Sequence, residues 1–88
     1  MRIRIHPHAL RHGLTEERIF WAFHMAAVEE RIRERDRDTE PPRWGIIGID
    51  KDGRAIEMVA VSLTGGEVLV IHANNLTPGF EKEMREAR

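Results

Sequence analysis

Between Arg43 and Ala73 the apolar positions fall into three runs, separated by Asp52-Gly53 and Gly65-Gly66. Both dipeptides accept the positive φ that tight hairpin turns need. The runs are rich in Ile and Val, whose branched side chains suit a pleated surface. A three-stranded antiparallel meander is predicted. With Gly65-Gly66 as a two-residue loop, Thr64 opposes Glu67 and Val59 opposes His72. His72 then shares a sheet face with Glu57 and not with Arg54, and a slip of one residue would reverse this. Side chains alternate along a strand, so Ile56 and Met58 face one way while Val59, Val61 and Leu63 face the other. Leu69 and Ile71 likewise oppose Val68 and Val70. Both faces of the sheet are apolar, as in sheets covered on both sides.

Upstream, Arg2 to Ile5 alternates Arg and Ile and predicts a short strand with Ile3 and Ile5 inward. Pro7 ends pairing, and His8 to His12 predicts one helical turn closed by Gly13. A longer helix follows, with Thr15 as N-cap and Glu16 and Glu17 at the positive end of its dipole. Leu14 and Ile19 form a hydrophobic staple across that cap. Ile19, Phe20, Phe23, Ala26 and Ala27 recur at helical spacing and define its apolar face. The helical period fades after Val28, but Glu30 and Glu34 find partners a turn away and support helix to about Arg35. Thr39-Glu40-Pro41-Pro42 is a linker, and Asn74-Asn75-Leu76 a loop. Thr77 as N-cap and Pro78 at the first helical position open a final helix from Gly79 to about Ala87, with Phe80 and Met84 as its buried contacts. The order β-α-α-β-β-β-α describes a single α+β domain spanning residues 1–88. Its small antiparallel sheet, a meander plus the N-terminal strand, packs against helices.

Composition changes this picture in three places. The 88 residues contain no Cys, which excludes a disulfide framework and thiolate metal sites. No run of roughly 18 apolar residues is present to span a membrane, and charges interrupt the start of the chain where a signal peptide needs an apolar stretch. A soluble, cytoplasmic protein is expected. Finally, one amphipathic helix and a short tail helix are few for two apolar faces. The uncovered face is expected to take a partner chain or a second copy, since large exposed apolar patches mark interaction surfaces. The alternative is that the tail helix and the N-terminal strand close it.

The formal net charge of −1 does not demand nucleic acid, but 12 of the 14 basic residues are Arg, whose planar fork matches phosphate geometry. Four of the five His lie in the first 24 residues. His8 and His12 share a face of the expected helical turn and His6 could supply a third metal ligand, although no acidic residue stands near them in sequence to support the ligands. His24, within the apolar helix, reads as structural. His12 sits at a corner between two elements, where catalytic groups tend to lie. His72 ends the last strand, Arg43 begins the first and Arg54 begins the second. Two imidazoles and two guanidiniums suit cleavage of RNA without a metal or any other cofactor. Imidazole or carboxylate moves the protons, Arg clamps the phosphoryl oxygens, and Glu40 and Glu57 are candidate general bases.

In order along the chain, Arg11-His12-Gly13-Leu14-Thr15-Glu16-Glu17, Arg43-Trp44-Gly45-Ile46-Ile47-Gly48, Gly53-Arg54 and Val70-Ile71-His72-Ala73 resemble BrnT-type toxins. These are small RelE-like ribonucleases of bacterial type II toxin–antitoxin systems. The resemblance implies a RelE-like fold, RNA cleavage, and neutralisation by a DNA-binding antitoxin, which would dock on the second apolar face. By position His12, Arg43 and Arg54 match the family pattern, Glu40 falls near its acidic position, and Arg11 and Asn74 are expected to contact RNA. Where the family ends its last strand with Ala-Arg, this chain has Ala73-Asn74. Losing one fixed charge of that kind costs roughly 10²–10³ in rate, so a branch that no longer cleaves is the alternative this departure implies. Two other readings use the same residues: a non-catalytic interaction domain, such as a homodimer joined through the sheet, and a metal-binding module built on His6, His8 and His12.

Overall fold

The computed structural model describes residues 2–28, 32–36 and 43–86. Its elements are β1 (Arg2–Ile5), a 3-10 turn (Pro7–Leu10), α1 (Glu16–Val28), β2 (Ile32–Asp36), β3 (Arg43–Ile49), β4 (Ala55–Ser62), β5 (Glu67–Asn75) and α2 (Pro78–Glu86). The strands form one five-stranded sheet in the order β1-β5-β4-β3-β2. The α+β architecture and the β3-β4-β5 meander are as the sequence predicts. β1 pairs with β5 in parallel, so the sheet is mixed rather than wholly antiparallel.

One expected element is replaced. The helix expected to run to about Arg35 ends at Val28, and Ile32–Asp36 pairs antiparallel with β3. The pairing of Ile32 with Ile46 and Glu34 with Trp44 shows why. Ladder hydrogen bonds to an otherwise unpaired β3 edge outweigh the tenths of a kcal/mol that i,i+4 charge pairs give a helix. The linker residues Thr39 to Pro42, Glu40 among them, lie outside the described residues. The last strand also runs two residues further than expected, through Asn74 and Asn75.

Each sheet face carries one helix, and a glycine in β3 admits each of them. On the first face α1 buries Ile19, Ala22, Phe23 and Ala26 against Ile46, Ile56, Met58, Ala60, Val70 and Ala73. A Cβ at Gly48 would sit 1.9 Å from the Ala22 carbonyl oxygen, so only glycine lets the helix backbone come this close. Phe20 does not join this core. It is 45% exposed and Trp21 49%, whereas Ala22 backs directly onto Gly48. His24 is exposed beside Phe20, with ring centroids 4.5 Å apart. On the second face Phe80 and Met84 of α2 pack on Val59, with Ile47, Ile71 and Leu76 around them. A Cβ at Gly45 would meet the Met84 sulfur at 2.7 Å. The tail helix thus occupies part of the face expected to be open.

The helix signals are placed as predicted. Thr15 Oγ1 accepts from the Arg18 amide at 3.2 Å, and Thr77 Oγ1 from the Phe80 amide at 3.4 Å. Gly13 takes a φ of 85° after the 3-10 turn. The hairpin between β3 and β4 is organised by Asp50, which is nearly fully buried. Its Oδ1 accepts the amides of Asp52 and Arg54, both at 2.9 Å, and its Oδ2 accepts from Arg18 of α1 at 2.9 Å. Burial pushes the Asp50 carboxyl up, but the amides of Arg54 and Asp52 and the Arg18 guanidinium outweigh it and hold the pKa below its usual value. Lys51 reaches Glu17 at 2.7 Å on the surface beside it. Hydrogen bonding and charge from Lys51 lower the Glu17 pKa.

Between β4 and β5 the register changes once. Met58 pairs with Ala73 and Val59 with His72, but Ala60 pairs with Val70. Ile71 is therefore an extra residue, a β-bulge. The predicted pairing of Val59 with His72 holds. Nearer the turn the strands are offset by one from the predicted register: the Leu63 amide bonds the Glu67 carbonyl, so the loop is Thr64-Gly65-Gly66 rather than two residues. No helix among the described residues is long and apolar enough to cross a membrane.

Candidate functional site

The parallel direction of β1 decides where the site forms. Ile5 pairs with Val70, and the His6 amide continues the ladder to the Val70 carbonyl at 2.9 Å. The chain leaving β1 therefore emerges next to the middle of β5, and the 3-10 turn carries His6, His8 and His12 to the strand end that holds His72. Pro7 stands at the start of this turn, where its missing N–H is harmless. His6 caps the turn, its Nδ1 accepting from the His8 amide at 3.0 Å. Arg11 donates to His8 Nε2 at 3.2 Å.

The bulge at Ile71 decides which way β5 presents its side chains. Two residues opposing one on the partner strand break strict alternation. Ile71 and His72 accordingly both line a cleft of about 620 Å³ on the second face. Glu57 and Val59 of β4 form its floor with them. Arg43 enters from the start of β3, Thr77 from the cap of α2, Phe80 and Glu83 from α2 itself, and His6 and His8 from the N-terminal turn.

At its centre His72 Nε2 lies 2.7 Å from Glu57 Oε2. The His72 side chain is 30% exposed and that of Glu57 6%. The other oxygen, Glu57 Oε1, accepts both the Thr77 hydroxyl at 2.6 Å and the Thr77 amide at 2.9 Å. Thr77 is also the N-cap of α2, so one residue starts the helix and holds the carboxylate. The His12 ring stands edge-on to His72, with centroids 5.5 Å apart and planes at 77°. An exposed imidazole, a half-buried imidazole and a buried carboxylate thus follow one another, with a guanidinium in the same cleft.

The residues singled out from the sequence divide clearly. His72 and Arg43 line the cleft, and His12, which does not line it, meets His72 ring to ring. Arg11 is not among the lining residues and donates to His8, which lines the cleft. Arg54 does not line the cleft. It directly precedes β4, three residues before Glu57 or roughly 10 Å at about 3.3 Å per residue, and its amide belongs to the Asp50 hairpin. Asn74 pairs across the ladder with Glu57, but its Oδ1 accepts the Asn75 amide at 2.8 Å. Glu57, expected as a general base, has both oxygens engaged, Oε2 by His72 and Oε1 by Thr77. Thr77 was visible in the sequence only as a helix cap. Its partnership with Glu57 links positions twenty residues apart, beyond any local signal. Among the described residues no group of three or more His, Asp or Glu side chains is arranged to hold a metal ion, so His6, His8 and His12 do not form the centre that the metal-module reading requires.

The chain matches no protein-family model, and neither the curated proteins nor the solved structures compared with it include a significant match.

Proposed function

We propose that this chain is a metal-independent endoribonuclease of the toxin-like kind, neutralised by a cognate antitoxin protein. The observation that carries the reading is that His72 and Arg43 line one cleft, with Glu57 behind His72 and the His12 ring in edge contact with His72. Cleavage of RNA through its own 2′-hydroxyl needs three things: a group to take the hydroxyl proton, a group to protonate the leaving 5′-oxygen, and positive charge on the phosphoryl oxygens. Two neighbouring imidazoles fill the first two roles, and Arg43 the third. The ordered motifs that resemble those of BrnT-type toxins support the same reading, and Arg43, Ile71 and His72 of those motifs line the cleft. In this reading the RelE-like toxins are the structural kin of the fold, and the protein works in the cytoplasm. Since α2 lies on the second sheet face, a DNA-binding antitoxin would meet that face through the cleft and α2 together.

The test is incubation of the purified chain with RNA in the presence of EDTA. Expected products carry a 2′,3′-cyclic phosphate and a 5′-hydroxyl, and chelation leaves the rate unchanged. Arg43→Ala is expected to lower the rate by roughly 10²–10³. RNA that stays intact with the wild-type protein retires the reading.

A second reading, a non-catalytic interaction domain, is favoured by exposed Phe20 and Trp21 on α1. It predicts a homodimer in solution that Trp21→Ala converts to monomer. Sedimentation of the two proteins decides it, and a wild-type monomer at all concentrations removes it.

A further inference from the structure

We infer that Glu57, held by Thr77, fixes the tautomer of His72 and so divides the catalytic labour: His72 is the general base and His12 the general acid. The inference rests on the ribonuclease reading above and deepens it.

An ionised carboxylate only accepts hydrogen bonds. Glu57 Oε1 already takes two donors from Thr77, and Oε2 faces His72 Nε2 at 2.7 Å. Nε2 therefore carries the hydrogen of that bond, and Nδ1 of the neutral ring keeps the lone pair. In a histidine the partner of one nitrogen sets the state of the other. His72 is thus presented as a proton acceptor, in one orientation, from a half-buried position. His12 is exposed and in ring contact with His72, and among the described residues no carboxylate holds its ring as Glu57 holds that of His72. It is the imidazole left to carry a proton to the leaving group.

The step balances. Nδ1 of His72 takes the 2′-hydroxyl proton, the 2′-oxygen attacks phosphorus, and the bond from phosphorus to the 5′-oxygen breaks. The leaving oxygen takes its proton from the His12 imidazolium. The products are a 2′,3′-cyclic phosphate and a 5′-hydroxyl, with no oxidant, metal or co-substrate consumed. Glu57 and Thr77 touch no reacting atom and act as positioning residues.

The experiment compares RNA with an ordinary 5′-oxygen at the cleavage site and RNA with a bridging 5′-sulfur, a leaving group that needs no acid. His12→Ala is expected to slow the oxygen substrate by about 10²–10⁴ and to cut the sulfur substrate at close to the wild-type rate. His72→Ala is expected to be slow on both. The reverse pattern, sulfur rescuing His72→Ala and not His12→Ala, overturns the assignment. Glu57→Gln and Thr77→Val should lower kcat with KM unchanged, and Thr77→Ser should restore it. Independently of activity, ¹⁵N spectra of the wild-type imidazoles should show His72 as a single Nε2–H tautomer that becomes mixed in Thr77→Val. A mixed or Nδ1–H His72 in the wild type overturns the positioning role, even should Glu57→Gln fail to fold. Wild-type protein that cuts neither substrate removes the ribonuclease reading and the division of labour with it, while the spectrum still decides whether Glu57 sets the tautomer.

Discussion

Replacing Gly48 by Ala is expected to destabilise the chain by about 3–5 kcal/mol, more than an ordinary overpacking substitution. The new methyl carbon would lie 1.9 Å from the Ala22 carbonyl oxygen and 2.6 Å from its carbonyl carbon. Those atoms are helix backbone, so α1 must lift off the sheet as a body, opening contacts of Ile19, Phe23 and Ala26 as well. A domain of this size has only about 5–10 kcal/mol in hand. Gly45→Ala makes the matched control on the opposite face. Its methyl meets the sulfur at the tip of Met84, a flexible side chain that can rotate away, and about 1 kcal/mol is expected. Urea unfolding of both variants measures the difference. Equal losses would show that the two helices dock with the same tolerance, contrary to the geometry.

Loss of the Asp50 carboxylate is expected to have the second largest effect, about 2–4 kcal/mol for Asp50→Ala at neutral pH. The substitution strips the acceptor from two hairpin amides and removes the charge facing Arg18. Arg18 also reaches Asp52 at 2.7 Å and is partly exposed, so water and Asp52 absorb part of that loss. Asp50→Asn keeps an oxygen for the amides and should lose less. The pH dependence has a defined sign. Because folding holds the Asp50 pKa below its usual value, the unfolded chain binds the proton more readily. The carboxylate's contribution is complete above the unfolded carboxyl range, near pH 4, and disappears as pH falls below that range through the folded value. Wild type and Asp50→Asn should therefore differ most at neutral pH and converge in acid. Thermal melts across pH 2–7 follow this directly, and parallel curves would assign the stability to the hydrogen bonds alone.

The meander was legible because its signals are local: glycine at the turns, β-branched residues between them, Thr15, Thr77 and Pro78 at helix starts. What the sequence hid is decided by contacts distant along the chain. Ile32–Asp36 carries residues that favour a helix, and only the unpaired edge of β3 makes it a strand. Phe20 has the spacing of a core residue, but Gly48 lets Ala22 take the place nearest the sheet. The pairing of Val59 with His72 was predicted from a turn one residue too short, and the bulge at Ile71 compensates for that residue. His72 and Glu57 were placed on one face by register alone. Neither the position of Thr77 behind Glu57 nor the remoteness of Arg54 has any signature in residue type or spacing.

The parallel pairing of β1 with β5 also orders events in time. Residues 2–5 pair with residues 67–70, across nearly the whole intervening chain, whereas β3, β4 and β5 close through turns of a few residues. Distant pairings form late because loop closure must precede any gain from them. During synthesis from the N-terminus, β1 waits without a partner until β5 has left the ribosome. The histidines that follow β1 wait with it. His12 and His72 are therefore expected to meet late, after the local β3-β4-β5 meander has closed.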